Sequence, residues 1–270
     1  MHPIMRHFES LGDNCEFGFV LAAHGINDGG LFRWARIQYF ADLVSALDSR
    51  MVGSFSFESL SPCAPTMVVD SATGIAFHTR MEIEQDGGFI FSQSIEERLT
   101  IHELEKQKFT YLTEKFFSGT ENGKKIYVIK SNDEQSIIPV VEALRRHGDV
   151  AVLHVVEARP GHPPGTVSLS QPYLYTGFID RFAPYEKADD ISLACWTEIC
   201  RNAWGLHCSI RGIDSESCEA EEIAVPGPSL PPGFNAQDDL MANPDVLEAG
   251  MDAAEHYLNH GWKECRALRL

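Results

Sequence analysis

The segment SLGDNCEFGF, residues 10–19, places Cys15 directly after a glycine and two polar residues that favour helix N-termini. Apolar residues then recur at the spacing of one helical face, and Gly25 is typical of a helix end. A thiol in the first turn of this predicted helix would lie near the positive end of the helix dipole, which favours the reactive thiolate. The pattern indicates nucleophilic catalysis by Cys15, with a buried packing cysteine as the alternative.

A nucleophilic cysteine needs a base and a group that orients the base. The first candidate for the base, among eleven histidines, is His78 at the end of the predicted strand GIAFH. Asp180 closes another predicted strand and could orient the base, as could Asp13. The alternative for Asp180 is an ion pair with Arg181 or Arg33.

The remaining histidines and cysteines are better explained by packing. We expect His24, on the Cys15 helix, and His154, inside an apolar strand, to be hydrogen-bonded structural residues. His256 and His260 share a helical face, but Tyr257 stands where the HExxH motif has its glutamate. The spacings of the cysteines between positions 195 and 218 fit no zinc pattern. We therefore expect no metal and no cofactor.

The loop before Cys15 also permits a different chemistry. Gly12, Asp13 and Asn14 lead into a helix N-terminus, where a phosphate group often binds. Under this second hypothesis the loop binds the phosphate of a nucleotide sugar, and Cys15 is there because it is small.

Strand and helix patterns alternate along most of the chain, and their short connections favour parallel crossover units. The predicted strands cover residues 7–12, 88–94, 124–131, 149–158 and 172–182. The predicted helices begin just after Asn14 and cover residues 37–47, 95–117, 134–148 and 189–204. The sequence thus predicts an α/β fold: a layered sheet with at least one parallel strand–helix–strand unit and a small C-terminal helical tail.

The composition of the chain predicts two parts joined by a linker. Residues 1–226 form the predicted α/β domain, the Pro- and Gly-rich residues 227–235 a linker, and residues 236–270 a helical module.

With 22 basic and 39 acidic residues, the net charge of −17 opposes nucleic-acid binding. No apolar run reaches the ~20 residues of a membrane span, so none is expected. Seven cysteines without a C-x-x-C pair, and no secretory signal, favour a cytoplasmic location.

SLGDNCEFGFVLAAHG followed by GLFRWA resembles a family of bacterial proteins described as papain-like cysteine peptidases. Its members begin with S-L-G-x-x-C, a helix and a short motif that ends in Asp-Trp or Arg-Trp. Cys15 matches the family cysteine, and Arg33-Trp34 matches the Arg-Trp form. YVIKSND and IDRFAPY also look similar to the corresponding strand ends, so the resemblance covers residues 6–210. It implies a catalytic Cys15, a binding role for Arg33 and Trp34, and, as an alternative fold, a papain-like α+β domain.

The tail resembles a different unit, the NPDV…HYL…HGW-x-E-x-R module of bacterial glycosyltransferases and surface polysaccharide proteins. Residues 243–246, 256–258 and 260–262 match it, and Cys265 replaces the usual glycine. This resemblance implies a cell-surface glycan context and possible glycan-assembly partners.

These patterns lead to three hypotheses. The first is a thiol-dependent peptidase, or a related acyl hydrolase or transferase, with Cys15 as nucleophile, His78 as base, Asp180 or Asp13 as the orienting group, and a small-molecule, peptide or glycan substrate. The second is a glycosyltransferase-like or polysaccharide-assembly protein that binds a nucleotide-sugar phosphate at the SLGDNC loop. The third is a non-catalytic module that recruits glycan machinery through the C-terminal helices.

Overall fold

A computed structural model of the chain describes residues 3–213, residue 236 and residues 251–258. The chain divides into two compact units, Met1–Ile213 and Asp214–Leu270. In the second unit, a short helix α6 (Ala253–His256) begins with the Asp252 carboxylate accepting a hydrogen bond from a backbone N–H. The proposed linker at residues 227–235 and the predicted histidine pairing with His260 lie outside the described residues.

The first unit contains a mixed five-stranded sheet of β1 (Phe8–Ser10), β7 (Ile126–Lys130), β8 (Ala151–Glu157), β9 (Val167–Gln171) and β10 (Leu174–Ile179). The strands lie in the order β1-β7-β8-β10-β9. Four of them are parallel, and the edge strand β9 is antiparallel. The residues of β7 and nearly all of those in β8 are buried, as expected for parallel strands that helices cover on both faces. The predicted α/β layered fold is confirmed.

Five helices of the first unit connect or cover these strands. Local sequence signals set the ends of the longest one, since Ser94 and Glu97 form a reciprocal capping box and Gly123 ends the helix in the left-handed conformation. Pro139 is accommodated in the second turn of the helix between β7 and β8. The helices are α1 (Glu16–Ala23), α2 (Phe40–Asp48), α3 (Ile95–Asn122), α4 (Glu134–Arg145) and α5 (Leu193–Arg211).

A second, antiparallel sheet is inserted between α2 and α3. It consists of β2 (Leu60–Ala64), β3 (Met67–Asp70) and β4 (Ala76–His78), and a hairpin of β5 (Ile83–Gln85) and β6 (Phe89–Phe91) follows it. One face of the three-stranded sheet packs into the core through Val68 and Phe77. The opposite face carries His78, which is exposed at the end of β4.

Two fold expectations need correction. The papain-like alternative has its cysteine on a long central helix ahead of an antiparallel sheet, whereas Cys15 here links a parallel strand to the eight-residue helix α1. Strand β9 was not predicted, because its half-exposed residues do not form an apolar run. Within the described residues, no helix combines the length and apolar character needed to cross a bilayer.

Candidate active site

The loop that holds Cys15 follows the carboxyl end of β1, where ligands bind in open α/β sheets. Gly12 and Asp13 both have positive φ angles, +90° and +80°, so the chain turns sharply before α1. Glycine is favoured at the first of these positions, because L side chains rarely adopt this φ angle and a Cβ there would also lie 2.6 Å from Ile37 Cδ1. Cys15 is the N-cap residue of α1, and its thiol is half-buried. The predicted order of strand, tight loop and helix is confirmed.

Cys15 and His78 meet in the structure. Cys15 Sγ lies 3.7 Å from His78 Nε2, and His78 Nδ1 lies 3.1 Å from Thr66 Oγ1. A thiol, an imidazole and a hydroxyl are therefore aligned in the order of nucleophile, base and orienting group. The imidazole is on the exposed side of the arrangement, so a substrate can approach it from solvent.

The backbone at residues 36–37 joins the two sheets that contribute this pair. Arg36 and Ala76 exchange two backbone hydrogen bonds, of 2.9 and 3.0 Å, two residues before His78. The N–H of Ile37 donates to the Asp13 carbonyl at 3.1 Å, two residues before Cys15. One short segment thus fixes the distance between nucleophile and base.

Helix α3 holds the chain on the other side of His78. One Glu105 carboxylate oxygen accepts a hydrogen bond from the Thr79 hydroxyl at 2.9 Å, and the other accepts one from the Arg80 N–H at 2.6 Å. Because Glu105 is largely buried, this clamp stabilises the end of β4 against the long helix.

Burial sets the protonation states of the pair. It raises the pKa of the Cys15 thiol above its ordinary value. It also lowers the pKa of the His78 imidazole, and a hydrogen bond to the Thr66 backbone carbonyl only partly opposes this change. Both directions favour a neutral thiol beside a neutral imidazole. The N-terminus of α1 favours the thiolate, whereas the loss of solvation acts in the opposite direction and raises the pKa of Cys15.

A buried ion pair supports the loop from beneath. The Glu16 carboxylate, fully buried, accepts hydrogen bonds from Lys130 Nζ at 2.6 Å and from Trp196 Nε1 at 2.8 Å. Lys130 also lies 3.4 Å from the Asp13 carboxylate. Burial raises the pKa of Asp13, although the charge and hydrogen bond of Lys130 act in the opposite direction. Two carboxylates thus share one ammonium group directly beside Cys15.

A cleft of about 270 Å³ opens next to this ion pair, at the carboxyl end of β7. Its lining combines the polar groups of the Cys15 loop and of the β7–α4 loop with two aromatic rings. The lining residues are Asp13, Ile37, Gln38, Phe40, Lys130, Ser131, Asn132 and Phe182. Neither Cys15 nor His78 lines this cleft, but Asp13, two residues before Cys15, does.

The expectation that Asp180 orients His78 is not met. The Asp180 carboxylate accepts a hydrogen bond from the Arg181 N–H at 2.9 Å, and β10, which it follows, lies three strands from β1, about 14 Å away at the usual strand spacing. Burial opposes its ionisation, but hydrogen bonds from Ser192, from the Arg181 N–H and from Cys195 lower its pKa. Asp13 does not take the orienting role either, because it faces Lys130; Thr66 occupies that position.

The other residues expected to bind a ligand shape the loop instead. Arg33 is buried, and its guanidinium donates to the carbonyls of Asp28 at 2.9 Å and Gly18 at 3.0 Å. Trp34 packs so closely on Gly18 that a Cβ there would lie 2.8 Å from the ring. Asn14 Oδ1 accepts a hydrogen bond from the Glu16 N–H at 3.0 Å. These contacts hold the start of α1.

His24 and His154, which we expect to be structural residues, each have a hydrogen-bond partner in the structure. His24 Nε2 lies 2.8 Å from Thr197 Oγ1, and His154 Nε2 lies 2.7 Å from the Ser131 carbonyl oxygen. Within residues 3–213, 236 and 251–258, no three His, Cys, Asp or Glu side chains are grouped closely enough to hold a metal ion.

Sequence reasoning did not identify three residues near the site: Thr66, Arg36 and Tyr185. The position of Thr66 could have been found from the S-A-T-G turn at residues 71–74. This turn closes a hairpin whose register pairs Met67 with His78, and Thr66 is the residue before Met67. The positions of Arg36 and Tyr185 depend on long-range packing, which no local pattern reports.

Comparisons of the chain with family models, with curated proteins and with solved structures give no match. Any conclusion about function therefore depends on the geometry of the site.

Proposed function

We propose that this protein is a thiol-dependent acyl hydrolase or acyl transferase in which Cys15 is the nucleophile and His78 the general base. The observation that carries the proposal is the line of contacts from Cys15 Sγ to His78 Nε2, at 3.7 Å, and from His78 Nδ1 to Thr66 Oγ1, at 3.1 Å. Peptide hydrolysis belongs to this class and agrees with the sequence resemblance.

The first half of the reaction forms an acyl-enzyme. The Thr66 hydroxyl oxygen, 3.1 Å from His78 Nδ1, can accept a hydrogen bond from the tautomer with its proton on Nδ1, and in that tautomer Nε2 is free to take the thiol proton. As the proton moves, Cys15 Sγ attacks the substrate carbonyl carbon and forms a C–S bond, and the carbonyl electron pair moves to oxygen. When the carbonyl re-forms, the bond to the leaving group breaks, and that group takes the proton from Nε2.

The second half regenerates the thiol. Water, or an acceptor amine or alcohol, gives its proton to His78 Nε2 as it attacks the thioester carbonyl. The C–S bond then breaks, and Sγ recovers the proton from the imidazole. Water yields hydrolysis and an acceptor yields transfer, so the two activities use the same residues.

The oxyanion of each step needs donors in the loop. The backbone N–H of Cys15 has no acceptor among the described residues, and the N–H groups of the first turn of α1 lack helical partners by geometry. The Glu16 N–H is not available, because Asn14 Oδ1 occupies it. We assign the oxyanion to the Cys15 N–H.

The phosphate-binding hypothesis has less support. A phosphate at the start of α1 would meet the carboxylates of Asp13 and Glu16, with only Lys130 to balance them. This local excess of negative charge opposes an anion at that point.

A reducing compartment suits the proposal, because the reaction needs a free thiol. The described cysteines, Cys15, Cys63, Cys195, Cys200 and Cys208, are all free. A cytoplasmic location, and a role near cell-surface glycans, belong to the proposal on the sequence evidence.

The proposal is tested with an activated thioester or nitrophenyl ester substrate. Cys15→Ser should lower turnover by about a thousandfold or more, because a serine hydroxyl beside a neutral imidazole of lowered pKa is a weak nucleophile. Cys63→Ser is the matched control, since Cys63 is also half-buried and free, and it should retain turnover within about twofold. Equal activity of the wild type and the Cys15→Ser variant would overturn the proposal.

A further inference from the structure

The side chain of Arg36 lies on the same sheet face as the proposed base. Arg36 pairs directly with Ala76, and residues that pair directly across antiparallel strands point to the same face. His78 follows Ala76 by two residues and so shares that face. The neighbouring residues Ile37 and Phe77 point the other way, into the hydrophobic core.

The guanidinium of Arg36 lacks a fixed partner within the described residues. It is half-buried, yet none of the described carboxylates is within ion-pair distance of it, and no side-chain hydrogen bond of this group is formed there. Arg33 and Arg145, which are also at least half-buried, have carbonyl or carboxylate partners. In a chain with 39 acidic and 22 basic residues, an unpaired guanidinium in a partly desolvated position is unexpected on electrostatic grounds alone.

Two neighbours lie within range of this charge. The positive charge of Arg36 acts on the thiol of Cys63 and on the hydroxyl of Tyr185. The pKa of Tyr185 is raised by burial and by Asp13, Arg36 opposes that change, and the charge of Cys15 adds to it. Tyr185 is 52% exposed, so its ring is accessible to a substrate.

We propose that Arg36 binds an anionic oxygen group, a carboxylate or a phosphate, on the substrate that reacts at Cys15. This inference rests on the proposed function, since it assigns the substrate class of the same site. The planar guanidinium forms paired hydrogen bonds with both groups, and the exposed Tyr185 ring can support the part of the substrate between that group and the reactive carbonyl.

Charged and neutral thiol reagents test the inference without knowledge of the substrate. DTNB is a disulfide with a carboxylate on each aromatic ring, and dithiodipyridine is a neutral aromatic disulfide. The rate of Cys15 modification by each reagent is measured at fixed ionic strength and read by peptide mass spectrometry. Arg36→Gln should lower the DTNB rate by about tenfold and leave the dithiodipyridine rate within about twofold, because only DTNB carries the recognised charge.

Arg80→Gln is the matched control. It removes the same charge two residues after His78, but the Arg80 side chain is 60% exposed and lies beside Glu105. It should leave the ratio of the two rates close to that of the wild type. An equal fall of the ratio in both variants would show an effect of net charge alone and overturn the inference. Arg36→Lys keeps the charge but loses the planar guanidinium with its paired N–H donors, so it should recover only part of the DTNB rate.

A competition experiment distinguishes the two anions. Benzoate and inorganic phosphate are compared as inhibitors of DTNB labelling, and the one that slows labelling of the wild type but not of Arg36→Gln identifies the group. An unchanged DTNB-to-dithiodipyridine ratio in Arg36→Gln would refute the anion site and leave the proposed function intact. Full turnover by Cys15→Ser would refute the proposed function, whatever the ratio.

Discussion

Cys15 Sγ lies 3.7 Å from His78 Nε2, and the two residues come from different sheets. Cys15 follows β1, an edge strand of the five-stranded mixed sheet, whereas His78 ends the last strand of the inserted antiparallel sheet. The pair exists only when both sheets are docked, which the backbone contacts at residues 36–37 and the Glu105 clamp ensure. Reactivity at Cys15 therefore reports on the docking of the insert as well as on local chemistry.

The pH dependence of activity should reflect a neutral thiol–imidazole pair. His78 acts as a base only when unprotonated, and its pKa is lowered, so kcat/KM should fall only as the pH drops below about 6.5. The pKa of Cys15 is raised, so labelling by iodoacetamide should keep increasing above about pH 8.5. His78→Gln should remove the acidic limb of the kcat/KM profile. Rapid labelling that persists at acidic pH would instead indicate a preformed thiolate–imidazolium pair.

Thr66 should act on the reaction by positioning His78. Thr66→Val removes the hydroxyl at 3.1 Å from Nδ1 but keeps the backbone carbonyl, so we expect kcat to fall by about tenfold with little change in KM. Thr66→Ser should restore most of the loss, because it supplies the same hydroxyl. The measurement is the steady-state rate on an ester substrate across the pH range. A loss that serine does not rescue would point to packing of the Thr66 methyl group and contradict the positioning role.

Lys130 should be essential for stability. Its replacement by methionine leaves the fully buried Glu16 without a counter-charge, and we expect the free energy of unfolding to fall by about 3–5 kcal/mol. Adding Glu16→Gln should recover much of the loss, since the buried charge is then gone and Trp196 keeps an acceptor. Arg146→Met is the control: its partner Asp48 is 46% exposed, and the cost should stay below about 1 kcal/mol. Urea unfolding of all four proteins is the measurement, and equal losses in the two single variants would contradict this account.

Two glycine-to-alanine substitutions within helices should change the stability of the protein in opposite directions. At Gly18 in α1 a Cβ would lie 2.7 Å from the Arg33 carbonyl oxygen, so alanine should destabilise the protein by about 1–3 kcal/mol. At Gly205 in α5 no atom lies within 4 Å of the added Cβ, so alanine should stabilise it by up to about 1 kcal/mol. Thermal unfolding compares the two. A stabilising Gly18→Ala would mean that α1 and the Arg33–Trp34 segment do not pack as described.

Local sequence patterns predict much of this fold and part of the site. The apolar runs of β7 and β8 and the capping signals of α3 and α4 are short-range features, so these elements were predictable. The position of Cys15 at the start of a helix was predictable, because the turn before it requires a glycine at a positive φ angle, and Gly12 is visible in the sequence. The proximity of His78 followed only as a hypothesis, because it depends on how the inserted sheet docks. The raised pKa of Cys15 was not predictable, since the burial that raises it depends on tertiary packing.

The central claim is that His78 activates Cys15 for attack on a carbonyl carbon. It is tested most directly by mixing the protein with nitrophenyl acetate and locating the acetyl group by peptide mass spectrometry at short times. We predict one acetyl group on Cys15 of the wild type, formed well before any on Cys63, and formation slowed by at least about a hundredfold in His78→Gln. Acetylation of Cys15 at the same rate in both proteins, or no faster than that of Cys63, would contradict the claim.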